Sequence, residues 1–90
     1  MTMEVDVSVL SPIEFGDDRH IYYQIADQIR GLIRDGILAP GARVPSEKEM
    51  ARVYGCARPT IRQARELLKR EGWIKTERGR GAFVVGVPSN

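Results

Sequence analysis

From residue 21 onward the apolar positions change period in an order that spells out a small fold. Ile21, Ile25, Ile29, Leu32 and Ile33 are spaced by four, four, three and one, which lines one face of a helix. Gly36 can take the left-handed conformation just past its end, so that helix should stop near Asp35. Ala39-Pro40-Gly41-Ala42 has Pro and Gly at the two central positions of a type II turn, and a short extended piece follows at Arg43 and Val44. Ser46 and Glu49 have the S-x-x-E spacing of a capping box, which predicts a second helix from Glu47, with Met50, Ala51 and Tyr54 inward and Gly55 as its close. A third helix begins near Pro59, a residue tolerated in a first turn because the amide it lacks has no partner there.

In the third helix, at roughly 100° per residue, Ile61, Ala64 and Leu68 form a narrow apolar stripe. Arg58, Arg62, Arg65 and Lys69 form a second stripe about a quarter turn away. One face goes to the core and the next presents cations. Gly72 ends the helix, Trp73–Glu77 and Ala82–Val87 read as strands, and Arg78-Gly79-Arg80-Gly81 is the turn between them. Trp73, Ile74, Phe83 and Val85 are the expected contacts from this hairpin to the helices. The fold class is therefore α+β: a winged helix-turn-helix of three helices and a small antiparallel sheet, in the order helix, strand, helix, helix, strand, strand.

Near the start, Val5, Val7 and Val9 alternate with Glu4, Asp6 and Ser8, the period-two signature of a strand with one apolar face. Such a strand would join the hairpin sheet or pair across a twofold axis to make a dimer; the plainer alternative is a disordered acidic arm. The expected organisation is an N-terminal arm or strand at 1–19, the winged domain at 20–86, and a tail or linker start at 87–90.

Charge sharpens this picture. The formal net charge is only +2 over 90 residues, but residues 1–20 hold five acidic groups against the single Arg19, while residues 58–80 hold eight basic groups and three acidic ones. That concentration is the electrostatic footprint of a polyanion binder, although a solvated charged face would read the same way. Ninety residues allow one modest core, which places function on the surface. Cys56 has no second cysteine with which to form an internal disulfide and reads as a small core residue. His20 reads as a polar residue at a helix start, and Tyr22 and Tyr23 as packing. There is no spaced Cys/His cluster for a metal, no nucleophile beside a base and no enclosed carboxylate pair, so neither an enzyme nor a cofactor is expected. No apolar run approaches the roughly 20 residues that cross a bilayer, so a cytoplasmic protein is expected.

Pro45-Ser46-Glu47 followed by Glu49 and Ala51, then Arg58-Pro59-Thr60-Ile61-Arg62-Gln63-Ala64, Glu71-Gly72 and Gly79-Arg80-Gly81-Ala82-Phe83-Val84 resemble the DNA-binding domain of the GntR family. The lead-in Ile21-Tyr22-Tyr23-Gln24-Ile25 is most similar to its YtrA and HutC branches. The resemblance implies that the third helix enters the major groove and the hairpin tip the adjacent minor groove. It places Arg58, Thr60 and Arg62 at positions that touch bases or phosphates, Lys48 at a phosphate or groove contact, and Gly79 at the wing tip. Pro59, Arg65, Arg78 and Arg80 complete the expected DNA-binding set. Arginine pairs bidentately with guanine O6 and N7, a helix N-terminus favours phosphate, and arginines beside glycine suit a narrow minor groove. Three positions depart from the family pattern. Ala57 stands where a serine would cap the recognition helix. Arg65 replaces a leucine, and either extends the basic stripe or buries its stem with the head outward. Ala82 replaces a threonine.

The function implied is a sequence-specific transcriptional regulator, a repressor by family habit, binding a palindromic operator as a homodimer. Family members usually carry a further effector-binding domain, and no small-molecule effector site is expected within these residues. The alternative is a winged helix used for protein interaction or architecture, without sequence selectivity.

Overall fold

The computed structural model describes residues 7–15 and 20–89. Three helices, α1 (Ile21–Arg34), α2 (Glu47–Tyr54) and α3 (Arg58–Glu71), precede an antiparallel hairpin of β1 (Ile74–Glu77) and β2 (Gly81–Val84). Their buried faces are those set by the apolar spacing: Ile25, Ile29 and Ile33 from α1, Met50 and Tyr54 from α2, and Ile61, Ala64 and Leu68 from α3. Leu38, Val44, Ile74, Ala82 and Val84 complete the same core. Each of the large side chains contributes about 1.5–3 kcal/mol through the apolar surface it removes from water. Ala51 is only half-buried.

The local stop and start signals act as the sequence predicts. The α1 chain turns at Gly36, where the Gly36 amide donates to Ile33 O at 3.1 Å and the Ile37 amide to Leu32 O at 2.9 Å. At α2, the Glu49 amide donates to Ser46 Oγ at 3.0 Å and the Ser46 amide to Glu49 Oε1 at 2.9 Å, so both halves of the capping box are made. Helices α2 and α3 close on Gly55 and Gly72 respectively.

Three expectations change. The extended piece before α2 does not become a strand; it makes one antiparallel bridge, Arg43 to Phe83. The amides of Gly41 and Val44 donate to Val84 O and Ala82 O, and that of Val84 to Ala42 O, each at 2.8 Å. The Pro40–Gly41 turn on one side and Pro45, which has no amide to donate, on the other leave no room for a longer ladder. The sheet thus has two named strands and one bridged edge.

The hairpin phase also differs. Ala82 and Val84 face inward, whereas Phe83 is half-buried and Val85 is 50% exposed. The pairing Ile74 with Val84 and Thr76 with Ala82 fixes this alternation, and a one-residue change of phase exchanges the two faces of a strand. The second strand ends at Val84 rather than Val87; the chain leaves the ladder at Gly86, and Pro88 lies against Gly72.

Near the start, Val7–Val9 form a single 3-10 turn and not a strand; Val5, with the rest of 1–6, lies outside the described residues. The segment that follows packs on the helices, with Leu10 buried. Its backbone finds partners in two glutamine amides of α1. Gln28 accepts from Ser11 N at 2.9 Å and donates to Ser11 O at 3.0 Å, and Gln24 does the same with Glu14, 2.9 Å each way. These side chains supply the donor and acceptor a neighbouring strand would have offered, so at Ser11 and Glu14 the backbone is already paired within the chain.

Candidate nucleic-acid interface

The turn Gly55-Cys56-Ala57 swings the chain from α2 into α3 and brings the first residue of α2 against the first two turns of α3. Glu47 is that residue. Arg62 donates to it twice, Nε to Oε2 at 3.0 Å and Nη2 to Oε1 at 2.9 Å, and Arg58 donates from Nε to Oε1 at 3.0 Å. One carboxylate therefore holds both arginines expected to read DNA. The Arg62 hydrogen bond, ahead of that from Arg58, pulls the Glu47 carboxyl below its ordinary pKa against the opposing effect of burial. The side chains of Arg58 and Arg62 remain 58% and 59% exposed. A guanidinium has five N–H donors, so each arginine is oriented by the glutamate and still has N–H groups directed at solvent.

The other expected residues fall into two groups. Pro59 is exposed and Thr60 half-buried in the first turn of α3, whose N-cap Ala57 supplies no side-chain acceptor. The first amides of α3 are thus left without a side-chain cap. Lys48 is exposed on α2, and among the described residues no carboxylate pairs with it. At the hairpin tip Arg78, Gly79 and Arg80 are exposed. The Arg80 amide donates to Glu77 O at 2.9 Å, closing a turn in which Gly79 takes φ 76°. No atom lies within 4 Å of the place a Gly79 Cβ would occupy, so the tip is open to a close approach. Arg80 Nη1 is 3.8 Å from Glu77 Oε1, with the arginine side chain 76% exposed, a contact that water screens.

Arg65 does not join the exposed row. Its Nη1 donates to Pro45 O and lies 3.7 Å from Met50 Sδ, and burial lowers its pKa while Glu47 acts in the opposite sense. The head as well as the stem is drawn inward, because Pro45 is fully buried beside the core and its carbonyl needs a donor. Arg65 ties α3 to the base of α2. Lys69 stays on the surface, paired with Glu66 at 3.2 Å.

Two residues carry more than their sequence suggested. Glu47 reads locally as a helix-start acid, and nothing nearby in sequence points to arginines eleven and fifteen positions on. Arg43 reads as part of an extended link; its alternation with inward Val44 and its bridge to Phe83 turn it outward. Elsewhere, burial raises the pKa of Cys56, which disfavours its thiolate, and Tyr54 donates to Gln28 Oε1 at 2.5 Å.

A bundle whose second and third helices form a helix-turn-helix, followed by an arginine-tipped hairpin, defines a winged helix-turn-helix protein. The chain belongs to the gntR family of bacterial regulatory proteins, whose sequence profile matches residues 21–84. The HTH-type transcriptional repressor NagR of Bacillus subtilis (strain 168) is 45% identical over 64 residues, 71% of this chain. The chain spans only 26% of that relative's length. Among solved structures, YtrA from Sulfolobus acidocaldarius, a GntR-family transcription factor, matches with TM-score 0.77 and 38% identity over 82% of this chain and 78% of that one. AraR(DBD) in complex with operator ORX1 matches with TM-score 0.75 and 29% identity over 84% and 96% of the respective chains. Among the described residues no helix is long and apolar enough to cross a membrane.

Proposed function

We propose that this chain binds double-stranded DNA in a sequence-specific way and regulates transcription as a repressor. The observation that carries the reading is the pair Arg58 and Arg62, held outward by Glu47 with donors to spare. Helix α3 enters the major groove, where Arg58, Thr60 and Arg62 meet base edges. The uncapped first turn of α3, with Pro59 at its start, and Lys48 meet phosphates. Arg78, Gly79 and Arg80 enter the adjacent minor groove. Arg65 acts at one remove, by fixing α3 on α2. The relatives named above, a transcriptional repressor and a DNA-binding domain in complex with its operator, support the same reading.

One recognition helix reaches only a few base pairs, and single modules of this size bury roughly 600–1,000 Å² of protein surface on DNA. A second copy on an inverted repeat supplies the remaining affinity, so the active species is a homodimer on a palindromic operator. Residues 20–86 form the DNA-binding unit, no cofactor or catalytic group is needed, and the protein works in the cytoplasm on the nucleoid.

Titration of a mixed-sequence duplex over a series of salt concentrations tests the electrostatic half of this reading. The logarithm of the association constant should fall linearly with the logarithm of salt, by about 0.9 per phosphate neutralised. A folded chain that binds the duplex at no salt concentration would point instead to a protein partner.

A further inference from the structure

Arg43 is a cation beside the wing that the helix-turn-helix reading does not use. Its bridge to Phe83 places both residues on the same face of the sheet, and Lys75, opposite Phe83 in the hairpin, shares that face. The buried residues Val44, Ala82 and Val84 take the other side. Across its open face the sheet therefore presents Arg43, the Phe83 ring and Lys75, with Glu77 beyond Lys75 on the same face, 3.5 Å from Lys75 Nζ and 3.8 Å from Arg80 Nη1.

The Arg43 side chain runs from there toward the tip. Its Nε and Nη2 lie 3.4 and 3.5 Å from the point a Cβ at Gly81 would occupy. Gly81 has φ 111°, a conformation suited to glycine, and the guanidinium lies close against it, at the distance of an ordinary contact from a Cβ there. With Gly79, Arg80 and Phe83, Arg43 lines an open groove of about 410 Å³. Arg30, Arg58 and Arg62 each have a carboxylate close by; among the described residues Arg43 has no ion pair. The charge of Glu49 reaches it only at a distance, because that carboxylate is engaged in the cap of α2.

Two guanidinium forks and an aromatic ring lining one groove match one chemical unit well. The forks suit the oxygens of a phosphate, and the half-exposed ring suits the apolar edge of a sugar. Because the groove is continuous with the tip residues Gly79 and Arg80, we propose that Arg43 is a DNA-backbone contact. Together with Arg80 it clamps a phosphate at the rim of the minor groove, with Phe83 against the attached deoxyribose. The proposal rests on the DNA-binding reading above. Arg43 lies three residues before Ser46, so this contact also anchors the chain leading into α2, linking wing engagement to placement of the helix-turn-helix.

The test uses the whole chain with Arg43→Ala and Arg43→Lys. Each is titrated over a series of salt concentrations against a duplex enriched from a random library and against a mixed-sequence duplex of equal length. Arg43→Ala should weaken both duplexes several-fold by the same factor and reduce the salt slope by about 1, as loss of one phosphate contact does. Arg43→Lys should keep the slope. If the alanine variant fails to melt cooperatively, Arg43→Gln, which retains the stem over Gly81 without the charge, is held to the same criterion. An unchanged slope, or a loss confined to one base position of the enriched site, overturns the proposal while leaving DNA binding intact. A wild-type chain that binds neither duplex overturns both.

Discussion

Arg30 and Arg62 are each held by a glutamate from another helix, yet they serve different ends. Arg30 meets Glu71 through Nε at 2.8 Å and Nη2 at 3.2 Å, gives Nη1 to Asp27 at 3.3 Å, and lies 5.8 Å from the centre of the Tyr23 ring. Trp73 adds its indole N–H to the same Glu71 at 3.2 Å. All three guanidinium nitrogens are committed, and the side chain is 13% exposed. Arg62 gives only Nε and Nη2 to Glu47 and is 59% exposed. The chemistry of the pair is the same; the number of partners and the access of water decide whether the arginine fastens the fold or meets a ligand. The Arg30 cluster joins α1 to the end of α3 and the start of the hairpin. The Glu47 cluster joins α2 to the outward side of α3 without covering it.

Breaking the exposed side of this comparison should have the largest effect. Arg62→Ala is expected to lower affinity for an enriched duplex roughly ten- to hundredfold, the range of a lost bidentate base contact, with little change in melting temperature. Fluorescence anisotropy and thermal melting read the two quantities; equal losses on enriched and mixed-sequence duplex would make Arg62 a phosphate contact only. The buried side should behave oppositely. Arg30→Ala should cost about 1 kcal/mol of stability in urea denaturation, since the arginine is 13% exposed but its partners Glu71 and Asp27 are 38% and 77% exposed and water screens the pairs, while the folded variant keeps its preference between duplexes. A variant with altered preference and unchanged stability would dissolve the distinction.

Two smaller effects sharpen it. Glu47→Gln removes an anion close to the proposed DNA face and weakens the hold on both arginines. Affinity for mixed-sequence duplex should rise slightly and discrimination should fall several-fold, measured as the ratio of the two dissociation constants. An unchanged ratio would mean that Glu47 does not position the readers. Acid gives the smallest effect. The carboxyl pKa of Glu47 is lowered chiefly by the Arg62 hydrogen bond, and that of Glu49 chiefly by the Ser46 amide. A carboxyl depressed in the folded state stabilises the fold above its unfolded value, and that contribution is lost as pH falls through the folded value. Glu49→Gln should therefore lose less stability than the unsubstituted chain between neutral pH and about pH 3, by urea denaturation at each pH.

The helices were legible in the sequence because their signals are local. The Ser46/Glu49 cap, Gly36 and Pro59 act within one turn, and the apolar spacing of Ile61, Ala64 and Leu68 marks a face directly. The outward placement of Arg58, Arg62 and the wing tip likewise follows from spacing and turn residues. The Glu47 and Glu71 pairs were not, because they join residues separated by 11, 15 and 41 positions, and no periodicity reports such contacts. Arg65 shows the limit of helical spacing, which gave its side of α3 while the carbonyl of Pro45 decided where its head turned. The alternating valines misled at Val7 and Val9, where the chain closes a 3-10 turn, with the Leu10 amide donating to Val7 O at 3.0 Å, and Gln28 and Gln24 then take the backbone of Ser11 and Glu14 further along. Phe83 and Val85 were placed on the wrong face because a four-residue strand offers too few alternations to set its phase.

Selection from a random duplex library at near-physiological salt, with sequencing of the bound fraction, tests the central claim most directly. The account predicts an enriched inverted repeat whose half-sites are centred about 10 base pairs, one helical turn, or a multiple of that apart. A folded protein that binds the library without enriching any sequence would contradict it.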